Sequence, residues 1–337
     1  MPVRVAIQGA GSLIGQGIIK ALKMASLEST LIALDAFPTA VGLYWADSAH
    51  VVPDVLAPNV SEAEYVEYLV ELLNRERADV LLVATDFEVP MFARRRGEIE
   101  TRCKCKVVVS SPEVAEIADD KWLTYQFLKA HDLPCPPSLI DIHRIDAFVA
   151  QVGFPLIVKP RRGARSRQVS LVRERTGLSS ALMHAGSDPI VQAAIGTPDS
   201  EYTCGAVVFD GECLGVIVMR RDLRDGNTFR SYLRPEPELE ALIRRAALAL
   251  NPYGPANFQL RLGPAGPAIF EINARFSGTT IIRALAGFNE VEAVIRAVAF
   301  DERMMLQQSK YGVVLRYWEE QFVSWDDFER IGRAVLQ

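Results

Sequence analysis

The first third of the chain alternates short, continuously apolar runs with amphipathic ones, and this alternation limits its possible folds more than any other feature. Val3–Gln8, Leu31–Asp35, Asp79–Ala84 and Lys106–Ser110 read as buried strands rich in Val, Ile, Leu and Ala. Between them, Leu13–Met24 and Glu62–Arg75 repeat apolar residues at helical spacing. A strand that is apolar on both faces needs cover on both, and helices between consecutive strands make the strands parallel. The expectation for residues 1–111 is therefore a doubly wound, Rossmann-like α/β domain. Ser61-Glu62-Ala63-Glu64 adds a local signal: Ser61 can accept from the amide of Glu64 while Glu64 reaches back, which starts a helix at Glu62.

The pattern then changes. Ser111-Pro112 opens a helix with proline at its first position. Asp119–Ala130 reads as one further helix, ended by Asp132-Leu133-Pro134, and the Pro-rich Leu133–Ser138 leads into a new unit. Pro155–Lys159, Gln168–Val172, Tyr202–Phe209, Cys213–Met219, Asn257–Leu262 and Ala268–Asn273 read as strands, several joined by hairpin turns such as Asp210-Gly211. Helices are expected at Glu236–Leu250 and Val291–Phe300, then a strand at Val313–Tyr317 and a last helix at Asp326–Leu336. This half is α+β with antiparallel sheets. The expected division is 112–337, with a small lobe near 135–190, a large lobe near 191–305 and an extension over 306–337.

Composition supports this and excludes other classes. The 337 residues are 49% hydrophobic, enough for two or three cored domains. A net charge of −5 argues against a dedicated nucleic-acid binder. No apolar run approaches the ~20 residues of a membrane helix. The opening MPVRVAIQGAG reads as strand and turn rather than a signal peptide, so a cytoplasmic location is expected. Five cysteines without a CxxC pair, and four histidines without shared ligand spacing, speak against a disulfide scaffold, a structural zinc site or His-based nucleophilic catalysis.

Three stretches carry chemistry. Gly9, Gly11 and Gly15 follow the first strand, and Asp35 ends the second. Such glycines bring backbone close to an anion at a helix N-terminus, with the acid on a ribose. They equally serve a tight turn that only needs small residues. Around Gly263-Pro264-Ala265-Gly266-Pro267 two alternating strands face each other. Phe258, Leu260, Leu262, Phe270 and Ile272 take the apolar face, and Gln259, Arg261, Glu271 and Asn273 the polar one. A hairpin centred on Ala265 sets Gln259 opposite Glu271. Hard oxygen donors so placed suit Mg²⁺ with substrate phosphates in its shell, and Arg275 follows for an adjacent anion. A merely solvated sheet face is the alternative. Leu156-Ile157-Val158-Lys159 is a buried strand ending in lysine, followed by Arg161, Arg162, Gly163, Arg165, Ser166 and Arg167. Such a loop can fold over phosphates, or simply be an exposed basic turn.

Taken together these stretches resemble the ATP-grasp superfamily, and most of all the ATP-grasp unit of the carbamoyl phosphate synthetase large subunit. The resemblance runs from about Ala118 to Phe300, with its motifs in family order. Asp120-Lys121 opens the domain helix. Lys159 precedes the phosphate loop. Val191-Gln192-Ala193-Ala194-Ile195-Gly196 is similar to the hinge that lines adenine. Glu201-Tyr202-Thr203 resembles the strand whose glutamate holds the ribose. Asn257-Phe258-Gln259 and Glu271-Ile272-Asn273-Ala274-Arg275 resemble the metal-binding strands, and Gly287-Phe288-Asn289 the stretch that follows. The loop Gly163–Gln168 has fewer glycines than the family usually carries, and Ala193 stands where many relatives have an acid.

The resemblance implies an ATP- and Mg²⁺- (or Mn²⁺-) dependent carboxylate–amine ligase. Lys121, Lys159, Ser166, Gln192, Ala193, Ala194, Ile195, Glu201, Gln259 and Glu271 would bind ATP. Gln259, Glu271 and Asn273 would hold the metal, and Arg275, with Lys159, would act on the transferred phosphoryl group. Candidate substrate residues are Asp86 and Glu88, which otherwise cap the following helix, and Arg220 (with Arg221 and Arg224) and Arg283, which otherwise belong to a solvated loop and a helix end. Small carboxylate and amine substrates, no nucleic acid, no membrane and a homodimer are the expected partners. Two other readings stay open: an NAD(P)-dependent oxidoreductase or epimerase built on the glycine turn, and a non-catalytic ATP-binding protein of the same fold.

Overall fold

The computed structural model describes residues 2–163 and 168–333. In its first part β1 (Val3–Gln8), α1 (Leu13–Lys23), β2 (Ser29–Asp35), β3 (Ser48–Val51), α2 (Glu62–Arg75), β4 (Val80–Val83), α3 (Val89–Arg102) and β5 (Lys106–Val108) alternate as the apolar pattern requires. All strand pairs are parallel, in the order β3-β2-β1-β4-β5. The chain reverses its direction of travel between β1 and β4, so the crevice outside their carboxyl ends is the topological switch point. The capping box at Ser61 forms with both reciprocal bonds.

The helix expected over Asp119–Ala130 is two helices, α4 (Pro112–Asp119) and α5 (Lys121–Ala130). Asp120 has extended backbone dihedrals, and its carboxylate accepts from the amides of Trp122 and Leu123, so it caps α5 and breaks the run. Beyond it come β6 (Ser138–Leu139), α6 (Ile145–Val152), β7 (Leu156–Pro160), β8 (Ser170–Val172), α7 (Leu178–His184) and β9 (Pro189–Ala193). Their strands form a four-stranded antiparallel sheet, β6-β9-β7-β8, with a small core of its own around Phe148, Leu156, Val158 and Val191.

The rest of the chain builds a second antiparallel sheet: β10 (Glu201–Phe209), β11 (Glu212–Arg224), β12 (Asn227–Leu233), α8 (Pro237–Leu250), β13 (Gly254–Gly263), β14 (Gly266–Asn273), α9 (Thr280–Leu285), α10 (Glu290–Phe300), β15 (Gly312–Leu315) and α11 (Trp325–Arg333). Its order is β14-β13-β10-β11-β12-β15. One face packs on α4, α5 and α8 through Cys204, Val218, Phe258 and Ile272. The other face is divided. At one end Val207, Phe209, Ile217 and Met219 join α1, α9, α10 and the parallel sheet in a single core. At the other end the same face turns polar and opens toward the four-stranded sheet.

One register detail differs from the pattern. Leu260 pairs with Ile269, yet Gln259 pairs with Glu271, so β14 carries an extra residue at Phe270. At such a bulge two residues of one strand oppose one of the other, and the alternation slips. Ile269 and Ile272 are buried in the core while Phe270 is turned to the polar face. Phe270 therefore lies on the face opposite to the one its alternation predicts.

Candidate active site

A cleft lies between the two antiparallel sheets. Ile157, Lys159, Gln192, Ala193 and Ile195 line one wall, Glu201, Arg221, Gln259, Arg261, Phe270 and Glu271 the other, and Lys121 and Arg162 its end. Lys159 is 5% exposed at the end of an apolar strand. Burial pulls its pKa down to about 8, against the attraction of Glu271. A desolvated ammonium facing an open cleft is poised for an anion, whose charge would restore its proton. Lys121, at the first position of α5, donates to the carbonyls of Arg161 at 3.2 Å and Gly163 at 2.9 Å, tying the helix to the chain beyond β7.

The register brings the expected oxygen donors together. Gln259 lies directly across from Glu271, and Asn257 from Asn273. Asn273 donates to Glu271 Oε1 at 3.1 Å, and its Oδ1 accepts from Arg275 at 3.1 Å. Arg275 also donates to Asp86 Oδ1 at 2.5 Å. That pair joins the loop after β14 to the end of β4, so a residue from each half of the chain meets beside the oxygen cluster.

Glu201 is 3% exposed, and both its oxygens are engaged. Arg221 donates to Oε1 from Nε and Nη2 at 3.0 and 2.6 Å, and Arg261 to Oε2 from the same atoms at 2.9 and 2.7 Å. Arg221 Nη2 also reaches Gln259 Oε1 at 2.9 Å. Arg221 is expected from the sequence, with Arg220 and Arg224, to hold a substrate carboxylate, and Arg261 is not expected to bind; in the structure both are bonded to Glu201. Arg261 had a signal, since it stands two residues from Gln259 on the polar face. Arg221 stood out only as part of the run Arg220, Arg221 and Arg224, with nothing in the sequence to turn it toward Glu201.

Several expected positions lie elsewhere. Arg220 points to the opposite face from Arg221, where it stacks over Tyr232 and pairs with Asp222 at 3.0 Å. Arg283 is wholly buried, pairing with Glu290 at 2.7 Å and donating to Asn257, and Gly205 leaves room for its guanidinium. It holds α9 onto the sheet and is closed to any substrate. Neither Asp86 nor Glu88 caps α3: Glu88 stands at the N-cap without a capping bond. Its carboxyl instead accepts from Gln8 at 2.8 Å, from Tyr65 at 3.4 Å and from Thr85, and burial raises its pKa to about 7. In the hinge, Gln192, Ala193 and Ile195 line the cleft, while the amide of Ala194 is turned to the carbonyl of Pro155. Ser166 lies outside the described residues. Arg161, at the start of the loop after β7, pairs with Asp120, and Arg175, beyond β8, pairs with Asp146, so both serve the protein itself.

The glycine turn is filled by the chain's own atoms. A Cβ on Gly9 would meet Thr85 at 2.4 Å, on Gly11 Ala40 at 2.5 Å and on Gly15 the Gly9 carbonyl at 2.3 Å. Asp35 accepts from the amides of Gly11 at 2.8 Å and Phe37 at 3.1 Å. These residues close a tight strand–helix junction, and the dinucleotide cradle that the alternative reading requires is absent among them.

Two antiparallel sheets facing across a cation-lined cleft, behind a doubly wound domain, are the ATP-grasp architecture. Family models agree segment by segment: "PylC-like, N-terminal domain" over residues 5–108, "RimK-like ATP-grasp domain" over 118–240 and "ATP-grasp in the biosynthetic pathway with Ter operon" over 196–321. The chain is a member of the ATP-grasp superfamily. It is 26% identical over 244 residues to formate-dependent phosphoribosylglycinamide formyltransferase of Burkholderia pseudomallei, a match covering 70% of this chain and 54% of that protein. The chain thus spans about half the length of the curated relatives it matches. Among solved structures, N5-carboxyaminoimidazole synthetase from Staphylococcus aureus in complex with ADP superposes with a TM-score of 0.70 at 14% identity, over 94% of this chain and 81% of that one. Biotin carboxylase from Campylobacter jejuni gives 0.71 at 16%, over 92% and 74%. Among the described residues no helix is long and apolar enough to cross a membrane.

Proposed function

We propose that this chain is an ATP-dependent ligase that activates a small carboxylate as an acylphosphate, which an amine then attacks to form an amide. The observation that carries the reading is the opposition in the cleft of buried Lys159 to Glu271, with Gln259 directly across the strand pair. The relatives' printed activities support it.

In this reading Lys121 and Lys159 pair with the phosphates of ATP, and Ile157, Ile195 and Phe270 give the base an apolar slot. Gln259, Glu271 and Asn273 form a hard-oxygen donor set that fits Mg²⁺ (or Mn²⁺). When bound, the ion would neutralise phosphate charge. Arg275, fixed by Asn273 and Asp86, is aimed beside that cluster and stabilises the phosphoryl group during transfer. The acceptor occupies the crevice at the β1–β4 switch point, where the half-exposed Asp86 faces the amine. Glu88 lies behind it, buried, and supports the crevice wall. No protein nucleophile is needed.

The test is a coupled ADP-release assay over pairs of carboxylic acids and amines. Glu271→Gln is expected to lower turnover roughly 100-fold or more with an unchanged circular dichroism spectrum. Undiminished turnover in that variant, or tight NADH binding without MgATP binding, would overturn the assignment.

A further inference from the structure

β15 is the outermost strand of the six-stranded sheet. The amide of Arg316 donates to the carbonyl of Phe229 on β12, so along β15 the backbone groups of Arg316, Val314 and Gly312 point inward. Because these directions alternate, the N–H and C=O of Val313 and Leu315 point away from the sheet. The side chains alternate as well. Val314 packs on the common core, while Tyr311, Val313, Leu315 and Tyr317 are 58%, 55%, 64% and 77% exposed, and Trp318 is 86% exposed. Natural edge strands are usually kept from pairing by charge, proline or a bulge. This one instead presents an uninterrupted apolar stripe beside unpaired backbone groups.

We infer that β15 is the dimerisation edge of this protein, pairing antiparallel with β15 of a second copy about a twofold axis to give a continuous twelve-stranded sheet. Three features select a second copy as occupant. An antiparallel edge is self-complementary, as an isologous interface requires. Centred on Val314, the pairing sets Leu315 opposite Val313 and Tyr317 opposite Tyr311, so outward-directed residues meet outward-directed ones. Glu319 and Glu320 of one copy then run toward Lys310 and Arg234 of the other, so the charges complement each other. Finally, the five exposed side chains offer on the order of 700 Å² per copy, and with the strand backbone this approaches the about 800 Å² per partner of a standard stable interface.

Sedimentation velocity on the full chain tests this between 1 and 50 µM, alongside two kinds of variant (concentrations on the order of a typical dissociation range). Val313→Lys with Leu315→Lys places like charges across the twofold. Leu315→Pro removes one outward N–H and leaves the inward bonds to β12 in place. Wild type is expected at twice the 37.3 kDa chain mass, and both variants at the chain mass. Circular dichroism and MgATP affinity should be unchanged, since none of these residues lines the cleft. Leu171→Lys, at an exposed site on the small lobe, should remain dimeric. A monomeric wild type, or dimers that persist in both kinds of variant, would overturn the assignment.

Discussion

Single residues divide into those whose role follows from chemistry and those whose role follows from surroundings. Lys159, Glu271 and Asn273 belong to the first group: lysine at the end of an apolar strand, and Glu-x-Asn-x-Arg after another, are expensive patterns unless charge meets charge. Glu88 belongs to the second. Nothing in Asp-Phe-Glu-Val-Pro says that one carboxyl will be buried under Gln8 and Tyr65 while the other pairs with Arg275. Its raised pKa has a consequence for stability. A carboxyl with a pKa near 7 when folded, against 4.5 as its ordinary value, keeps a proton that the unfolded chain releases. Its cost to folding therefore grows as pH rises from about 4.5 and is complete above about 7, at about 1.4 kcal/mol per pKa unit. Glu88→Gln keeps the shape and cannot ionise. Its melting temperature should match wild type near pH 5 and exceed it at pH 8. A variant no more stable at pH 8 than wild type would show that the carboxyl is not desolvated as described.

At the scale of elements, the sequence was legible wherever local signals decide. The helix Glu62–Arg75 ends where its capping box and last apolar turn put it, and the pairing of Gln259 with Glu271 follows from counting outward from the turn. The count succeeded by compensation, however. The turn is centred half a residue earlier than Ala265, and the bulge at Phe270 restores the register beyond it. A bulge is a negotiation between two strands and has no signature in either alone. Strand parity explains the other miss. Arg220 and Arg221 are adjacent, and which one enters the cleft depends on the register of β11 against β10, itself shifted by a bulge between Val207 and Val208. The ring that the β14 bulge adds to the cleft has its own expected effect. Phe270→Ala should weaken MgATP binding about tenfold, the order of one buried aromatic contact. Unchanged affinity by titration calorimetry would mean the ring lies off the binding path.

For the whole molecule, the division of cores matters more than the division of sequence. The parallel sheet and the six-stranded sheet share one core through α1, α9 and α10, whereas the four-stranded sheet has only its own small cluster. Small cores open more easily. Amide protons of β7 and β9 should therefore exchange at least roughly tenfold faster than those of β1 and β10, and slow when MgATP is added. Equal protection in both groups would contradict independent opening of the small lobe. The common core was the least legible part of the fold. Its residues lie as far apart in the chain as Val3 and Ile331, and nothing local marks them as neighbours.

That distance also sets a timetable. β3 is the edge of the parallel sheet and β12 would be the edge of the six-stranded one, were it not for α11 and β15 respectively. Both covers come from the residues made last among the described elements. At roughly 5–20 residues per second of synthesis, β12 waits about 4–16 s for β15, and β3 waits about 14–56 s for α11. During that interval the nascent chain carries two open strand edges, so its exposure to mispairing is greatest just before its last described residues leave the ribosome.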